Sequence, residues 1–289
     1  MDWSKAKLIL IVVFILINLY LGYVIIDINT GSMGYVDRES IQRVTDYLAG
    51  KDIKVTGQVP DRKIDMSPIN VKYKLFSGED IKNRLFSAGE AVKESQDGHT
   101  MRLSGKTAEV SINDSRELLY TDNSIRPAGD VNEKACHTKV KEFLTKLGIN
   151  ASTGMSTVES VEGYKRIVFR QPFKGVNIFN STMEFYVNDN GIQRARIIWF
   201  ETVKQTGRKK EVASPVVALL SVADQNKNSI LQSREILNIE QGYYFSTGAK
   251  DQVDVSKVEE GTAFPVWKIT TDKYMIYVNA YDEKVEGVE

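Results

Sequence analysis

Few side chains in this sequence can act as bases, nucleophiles or metal ligands near neutral pH. The sequence contains two histidines, His99 and His137, and one cysteine, Cys136. The adjacent Cys136 and His137 would suit a thiol with its base, or two ligands of a metal ion. Consecutive side chains on a helix point about 100° apart. If Cys136 lies on an apolar stripe, His137 therefore lies at the edge of that stripe. We therefore predict that Cys136 is a small core residue and that His99 is solvated.

The remaining motifs give no catalytic signature. Asn188-Asp189-Asn190-Gly191 resembles the start of a calcium loop, but no bidentate Glu follows at loop spacing, so it predicts a type I′ turn. The sequence has no nucleophile elbow, zincin motif or nucleotide-binding glycine loop. Carboxylate pairs such as Glu159 with Glu162, or Asp282 with Glu283, would suit a glycoside hydrolase. Nothing selects such a pair from the 38 acidic residues. We expect no catalytic residue, metal or cofactor.

Composition predicts a folded and nearly neutral protein. The 289 residues are 42% hydrophobic and 26% charged, with a formal net charge of +0. A neutral chain has no field that would attract nucleic acid. A single cysteine excludes an internal disulfide, so the hydrophobic core alone must hold the domain together.

The N-terminus predicts a membrane anchor. From Leu8 to Ile26 the sequence is apolar except for Asn18 and a few small or aromatic residues, and 19 helical residues match a hydrocarbon core of roughly 30 Å. The summed insertion free energy of its Leu, Ile, Val and Phe residues is on the order of −5 to −9 kcal/mol. The alternative is a cleaved signal peptide, which needs a shorter apolar region and a small-residue cleavage site. We favour an uncleaved signal anchor.

Charge around this segment sets the expected topology. Lys5 and Lys7 precede it, and no comparable basic cluster follows, so the head should remain in the cytoplasm and the rest lie outside the cell membrane. The predicted organisation is a head at 1–7, an anchor at 8–26, a spacer at 27–36, an N-terminal subdomain at 37–128, and a C-terminal region at 129–289 with two units at 129–203 and 211–289.

The sequence after the anchor predicts an α+β fold of two or three helix-plus-antiparallel-sheet units. Asp37 and Gly50 bound the first predicted helix, and Asp130 and Gly148 bound the clearest one. The other predictions are a helix at 78–86, a mobile loop at 87–105, a hairpin at 107–121, strands from 157 to 203, helices at 214–222 and 229–237, and strands from 239 to 281. The predicted order of elements repeats, with 184–188 and 275–279 in equivalent places.

Two groups of residues are candidate partner-binding sites. Within the anchor these are Asn18, Tyr20, Gly22 and Tyr23, because a polar amide among lipid tails is stabilised by a hydrogen bond to another helix. The alternative is a tolerated Asn with an interfacial tyrosine belt. Further along, Pro265 cannot donate to a sheet ladder, so Pro265 and Trp267 could lie on an edge strand open to a partner. The alternative is a core strand with a buried Trp267.

Two stretches carry a family resemblance. The first is Met1-Asp2-Trp3 with Lys5, Lys7, the apolar run and Asn18-Leu19; the second is Gly261-Thr262-Ala263-Phe264-Pro265-Val266-Trp267-Lys268-Ile269. Together they resemble the YycI (WalI) family, single-pass accessory proteins of the YycFG (WalRK) two-component system in Firmicutes. The resemblance extends over the full length and implies PepSY/YycH-like units.

The resemblance also implies a function and partners. It implies a non-enzymatic regulator that binds a sensor histidine kinase of the WalK/YycG type and a YycH-like membrane protein, and that inhibits the kinase in cell-wall homeostasis. The alternative left by the residues is an anchored extracytoplasmic wall-modifying hydrolase or a wall-ligand-binding protein.

Overall fold

The computed structural model describes residues 7, 10–21, 33–128, 131–150, 155–226, 233–247 and 258–289. The helices in these ranges are α1 (10–21), α2 (Arg38–Ala49), α3 (Gly78–Leu85), α4 (Glu133–Lys146) and α5 (Pro215–Asn226). The strands are β1 (Met33–Tyr35), β2 (Lys54–Val55), β3 (Arg62–Ile64), β4 (Ile69–Tyr73), β5 (Lys93–Asp97), β6 (Thr100–Ser104), β7 (Ala108–Asn113), β8 (Glu117–Asp122), β9 (Met155–Val161), β10 (Tyr164–Phe173), β11 (Val176–Asn188), β12 (Gly191–Ile198), β13 (Phe200–Gln205), β14 (Glu235–Tyr244), β15 (Glu260–Thr271), β16 (Met275–Asn279) and β17 (Val285–Val288).

Most of these strands form one large, mainly antiparallel sheet. Its main path is β13-β4-β15-β14-β11-β12-β8-β7-β6-β5, while β1 pairs only with β3 in a separate ribbon. The hairpin of β9 and β10 branches from β11, and β16 with β17 branches from β15. A single parallel pair, Ile178 with Tyr243, connects β11 to β14. The α+β prediction is confirmed, with sheet predominating.

Helix caps account for the positions of the two clearest helices. The Asp37 carboxylate accepts from the backbone N–H of Glu39 and Ser40, and Gly50 ends α2 as predicted. The N-cap of α4 is Asn132, whose side chain accepts from the N–H of Lys134 and Ala135. The predicted capping residue, Asp130, lies outside the described residues. Asn132 has the same capping chemistry as Asp130 two residues further on, which explains the displaced start.

Tight turns fix the register of the hairpins. Asn188 pairs with Gly191 at the β11–β12 turn, and the Asn188 side chain accepts from the N–H of Asn190. Asn188 also donates from Nδ2 to the Arg126 carbonyl at 2.7 Å. The position of the predicted turn is confirmed, but its predicted type I′ is wrong, because neither Asp189 nor Asn190 has the positive φ that a type I′ turn requires. The hairpin of β7 and β8 turns through Asp114 and Ser115, which both have positive φ.

The expectation of a mobile loop at 87–105 is wrong. Residues 93–104 form the antiparallel hairpin of β5 and β6. Every residue of β5 is exposed, because this strand lies at one end of the sheet. An edge strand with two solvated faces lacks the alternation of polar and apolar residues that identifies a half-buried strand, and its composition therefore resembles a loop.

Most of the buried hydrophobic residues form two large clusters, called core one and core two below. Core one joins α2 and β4 to α5 and the C-terminal strands, with Leu48, Ile69, Phe200, Leu219 and Trp267 among its buried members. Core two lies between α3, α4 and the strands β6–β12, with Leu103, Leu118, Leu144, Ile167 and Phe185. Core one unites residues from opposite ends of the described chain, because β4 pairs with both β13 and β15. The domain boundaries near 128 and 203 stay a prediction.

The two predicted helix-plus-sheet units differ in how completely they are described. Helix α4 packs on β11 and β12, and α5 packs on β15 and β16. The segments 184–188 and 275–279 fall in β11 and β16. Of the predicted helix at 229–237, residues 229–232 lie outside the described ranges and β14 begins at Glu235, so its end is a strand. Within the range 239–281 predicted to contain strands, residues 248–257 also lie outside the described ranges.

Candidate partner-binding surfaces

The N-terminal candidate residues lie on or beyond α1. Its large apolar side chains are all exposed, from 47% at Val13 to 73% at Leu10. Asn18 donates from Nδ2 to the Phe14 carbonyl at 2.9 Å, so one amide hydrogen bond is made within the helix. Tyr20 is exposed on the same helix, whereas Gly22 and Tyr23 lie outside the described residues. Partner binding through these four residues stays a prediction.

Within the described ranges, no helix combines the length and apolar character that crossing a membrane requires.

The C-terminal candidate residues lie on a central strand, and the edge-strand prediction for Pro265 and Trp267 is wrong. Strand β15 pairs with β14 along one side and with β16 and β4 along the other. The Trp267 side chain is 1% exposed, and its Nε1 donates to the Ala213 carbonyl at 2.9 Å. Trp267 is therefore unavailable to a partner, and the alternative of a core strand is what the structure contains.

Pro265 is tolerated in the middle of the sheet because it lies where the strand that pairs with β15 changes from β4 to β16. Its carbonyl accepts from the Ala280 N–H, so its backbone edge faces the side of β16. On that side the β4 pairing ends at Ala263 and the β16 pairing begins at Val266. The missing N–H of Pro265 thus falls between two ladders and removes no ladder hydrogen bond. The sequence rule that places proline on edge strands has this exception at a strand junction.

The thiol and imidazole at 136 and 137 are adjacent in sequence but do not form a reactive pair. Cys136 is fully buried in core two, with Sγ 3.6 Å from the Val187 carbonyl oxygen, and burial raises the pKa of its thiol. His137 is half-buried at the edge of the apolar stripe, with its ring edge-on to Phe169 and its Nε2 3.8 Å from a Glu133 carboxylate oxygen. A buried, protonated thiol is a poor nucleophile. The core role predicted for Cys136 agrees with this placement.

The other residues with catalytic potential lie apart. His99 is 69% exposed, with Nδ1 3.8 Å from an Asp114 oxygen. Glu159 is paired with Arg166 at 3.0 Å, and Asp282 with Lys284 at 3.2 Å. In the part of the chain that the structure describes, no cluster of three or more His, Cys, Asp or Glu side chains could hold a metal ion. These carboxylates have the surroundings of surface ion pairs.

Sequence reasoning missed a groove beside α4, called the α4 groove below. It encloses about 520 Å³ and is lined by His137, Val140, Lys141, Leu144, Thr145, Gly148, Ile149, Asn150 and Phe169. Phe169 lies on β10, and the other residues lie on α4 or directly after it. The helical residues recur at spacings of three and four, and the sequence predicts Val140 and Leu144 as core residues with His137 at the edge of the apolar stripe. The polar residues Lys141 and Thr145, which recur at the same spacing, indicate that this side of α4 is open to solvent.

The strand next to this groove has an unpaired edge. Among the described strands, β9 pairs with β10 alone. Their hairpin turns through Glu162 and Gly163, both with positive φ, so Val161 and Tyr164 form the hydrogen-bonded closing pair. Backbone groups alternate in direction along a strand, so those of Ser156, Val158 and Ser160 point away from β10. None of them meets a hydrogen-bonding partner among the described residues.

Comparison with known proteins gives one family match. A family model described as YycI protein matches residues 33–281. No curated protein gives a match. One similar solved structure is an uncharacterized protein from Eubacterium rectale ATCC 33656, with 13% identity, a TM-score of 0.49, and coverage of 89% of this chain and 100% of that chain. Another is the C-terminal domain of Bacillus megaterium YpeB, with 11% identity, a TM-score of 0.35, and coverage of 75% and 98%.

Proposed function

The chain belongs to the YycI family, a regulatory family of the YycFG (WalRK) two-component system, and from that premise we propose that this protein is a non-enzymatic, membrane-anchored regulator of a sensor histidine kinase. The resemblance read from the sequence is confirmed by the family match over residues 33–281, which is the observation that carries the proposal. The proposed partners are a kinase of the WalK/YycG type and a YycH-like membrane protein. The proposed setting is cell-wall homeostasis.

The anchor supports contact with the kinase inside the membrane. The apolar run from Leu8 to Ile26 has 19 residues, which as a helix match a hydrocarbon core of roughly 30 Å. In this proposal, the effect on the kinase passes through the membrane helix or comes from the exterior part. The second amide N–H and the carbonyl of Asn18 can bond to a neighbouring helix, which contributes about 0.6 to 2 kcal/mol in a membrane.

The coupling needed for regulation is modest. A difference of about 1 to 3 kcal/mol in binding free energy between two kinase states changes their ratio about 5- to 150-fold. A few interhelical hydrogen bonds and one exterior contact reach that range. We propose inhibition as the direction, so that the bound kinase is shifted toward its inactive state.

A hydrolase function has no comparable support. Its candidate carboxylates Glu159 and Asp282 are engaged in ion pairs with Arg166 and Lys284. Family membership points to regulation rather than catalysis.

The test reconstitutes the kinase in nanodiscs with the YycH-like protein, with or without this chain, and measures kinase autophosphorylation. The proposal predicts a reduction of about fivefold or more on addition of the chain. Asn18→Leu should weaken this reduction, whereas Leu19→Ile, a change on the same helix without a polar group, should leave it intact. An unchanged rate together with no co-purification of the kinase would refute the proposal.

A further inference from the structure

The α4 groove and the edge of β9 are two independent openings on the same side of core two. Phe169 lies on the groove floor, and its partner across the ladder is Ser156 of β9. Val158, paired with Ile167, packs against core two from the same face. Because paired residues of an antiparallel ladder share one face, the inner face of β9 continues the groove floor outward.

The edge of β9 defines the form of an occupant. Its outward backbone groups at Ser156, Val158 and Ser160 are spaced every second residue, which matches the hydrogen-bonding period of an extended chain. Ser156 and Ser160 are small and exposed on the inner face. Large side chains of an added strand can therefore extend over them toward the groove, as in binding by β-strand addition.

The lining of the groove defines the chemistry of an occupant. Val140, Leu144, Ile149 and Phe169 give it apolar walls. Lys141 is exposed at the rim and makes no ion pair within the described ranges, whereas His137 faces the Glu133 carboxylate at 3.8 Å. An apolar groove with an unpaired cation at its rim favours large apolar side chains together with a carboxylate.

We propose that β9 and the α4 groove form one docking site for an extended segment of a partner protein. The segment adds a strand to β9, places alternate large apolar side chains in the groove, and sets a carboxylate beside Lys141. This inference deepens the proposed function. It rests on that function only because it requires a protein partner. Its test contains no kinase, so its failure leaves the regulatory proposal standing.

The probe is a labelled, end-capped peptide, Leu-Thr-Leu-Thr-Glu-Thr-Leu, titrated with the full chain in nanodiscs and followed by fluorescence anisotropy. Empty nanodiscs give the background from lipid. One comparison peptide carries Lys in place of Glu. The other contains the same residues as the probe, with the three leucines adjacent. We expect the alternating peptide with Glu to bind tightest, about threefold tighter than its Lys counterpart.

Two pairs of variants separate the backbone contribution from the charge. Ser160→Pro removes an outward N–H without touching the β10 ladder and should weaken binding about tenfold, whereas Ser160→Ala keeps that N–H and should bind normally. Lys141→Glu should reverse the preference between the Glu and Lys peptides. Lys146→Glu makes the same charge change on α4 outside the groove lining and should preserve the preference.

Three results would overturn the proposal. The first is equal binding of the alternating and non-alternating peptides. The second is unaltered binding by Ser160→Pro together with an unaltered charge preference in Lys141→Glu. Because Lys141→Glu leaves the backbone intact, it tests the site even if the proline disturbs β9. The third is self-association of the chain, measured by sedimentation, that Ser160→Pro abolishes, since the occupant would then be a second copy.

Discussion

Trp267→Ala is expected to lower the free energy of unfolding by about 4 kcal/mol, because it removes a fully buried indole from core one. The change also removes the Nε1 donor that bonds the Ala213 carbonyl at 2.9 Å. Its neighbours on β14 and β16 are fixed by the ladder and cannot close the cavity without breaking register. Urea unfolding of the full chain in detergent, followed by circular dichroism, measures the difference.

The control for this prediction is an aromatic truncation on the surface. Tyr35 is 75% exposed, so Tyr35→Ala should change stability by no more than about 0.5 kcal/mol. Loss of partner binding by Trp267→Ala with an unchanged unfolding midpoint would contradict the buried role. That outcome would restore the interpretation of Trp267 as a docking residue on an edge strand.

Gln171→Leu is expected to cost about 3 kcal/mol, because it leaves several buried polar groups without a partner. Gln171 lies at a register shift between β10 and β11. Its Nε2 donates to the Phe200 carbonyl at 2.9 Å, and its Oε1 accepts from the Phe200 N–H at 3.2 Å and the Ser181 hydroxyl at 2.5 Å. Phe200 and Ser181 are buried, so water does not replace these bonds. Urea unfolding measures the loss.

A double variant separates the hydrogen-bond network from a packing effect. Adding Ser181→Ala to Gln171→Leu removes one of the orphaned groups, so the double variant should be more stable than the sum of the single changes predicts. Gln96→Leu is the surface control, since Gln96 is exposed and bonds only a nearby carbonyl. Strict additivity of the two core changes would contradict the network.

Local signals in the sequence predicted the elements that depend on local chemistry. Asp37 and Gly50 bound α2 because a carboxylate cap and a flexible glycine act within a single turn. The position of the turn at Asn188–Gly191 was predictable for the same reason, although its type was not. The apolar stripe of α4 correctly identified Cys136 as a core residue.

Long-range pairing was beyond such reasoning. Proline chemistry alone placed Pro265 on an edge, because the sequence gives no sign that β4 and β16 meet β15 end to end at this position. The two cores were not predictable because core one joins residues as distant as Leu48 and Trp267. The α4 groove was missed because a helical stripe does not reveal which of its flanks the sheet leaves open.

The most direct test of the regulatory account is phosphorylation of the cognate response regulator in a strain lacking this protein. The strain is complemented with the full chain, with the anchor segment at 1–35 alone, or with the exterior part on an unrelated anchor. We predict that deletion raises phosphorylation, that the full chain restores the lower level, and that each part alone restores it incompletely. If none of the three changes phosphorylation, the protein is not a regulator of this kinase.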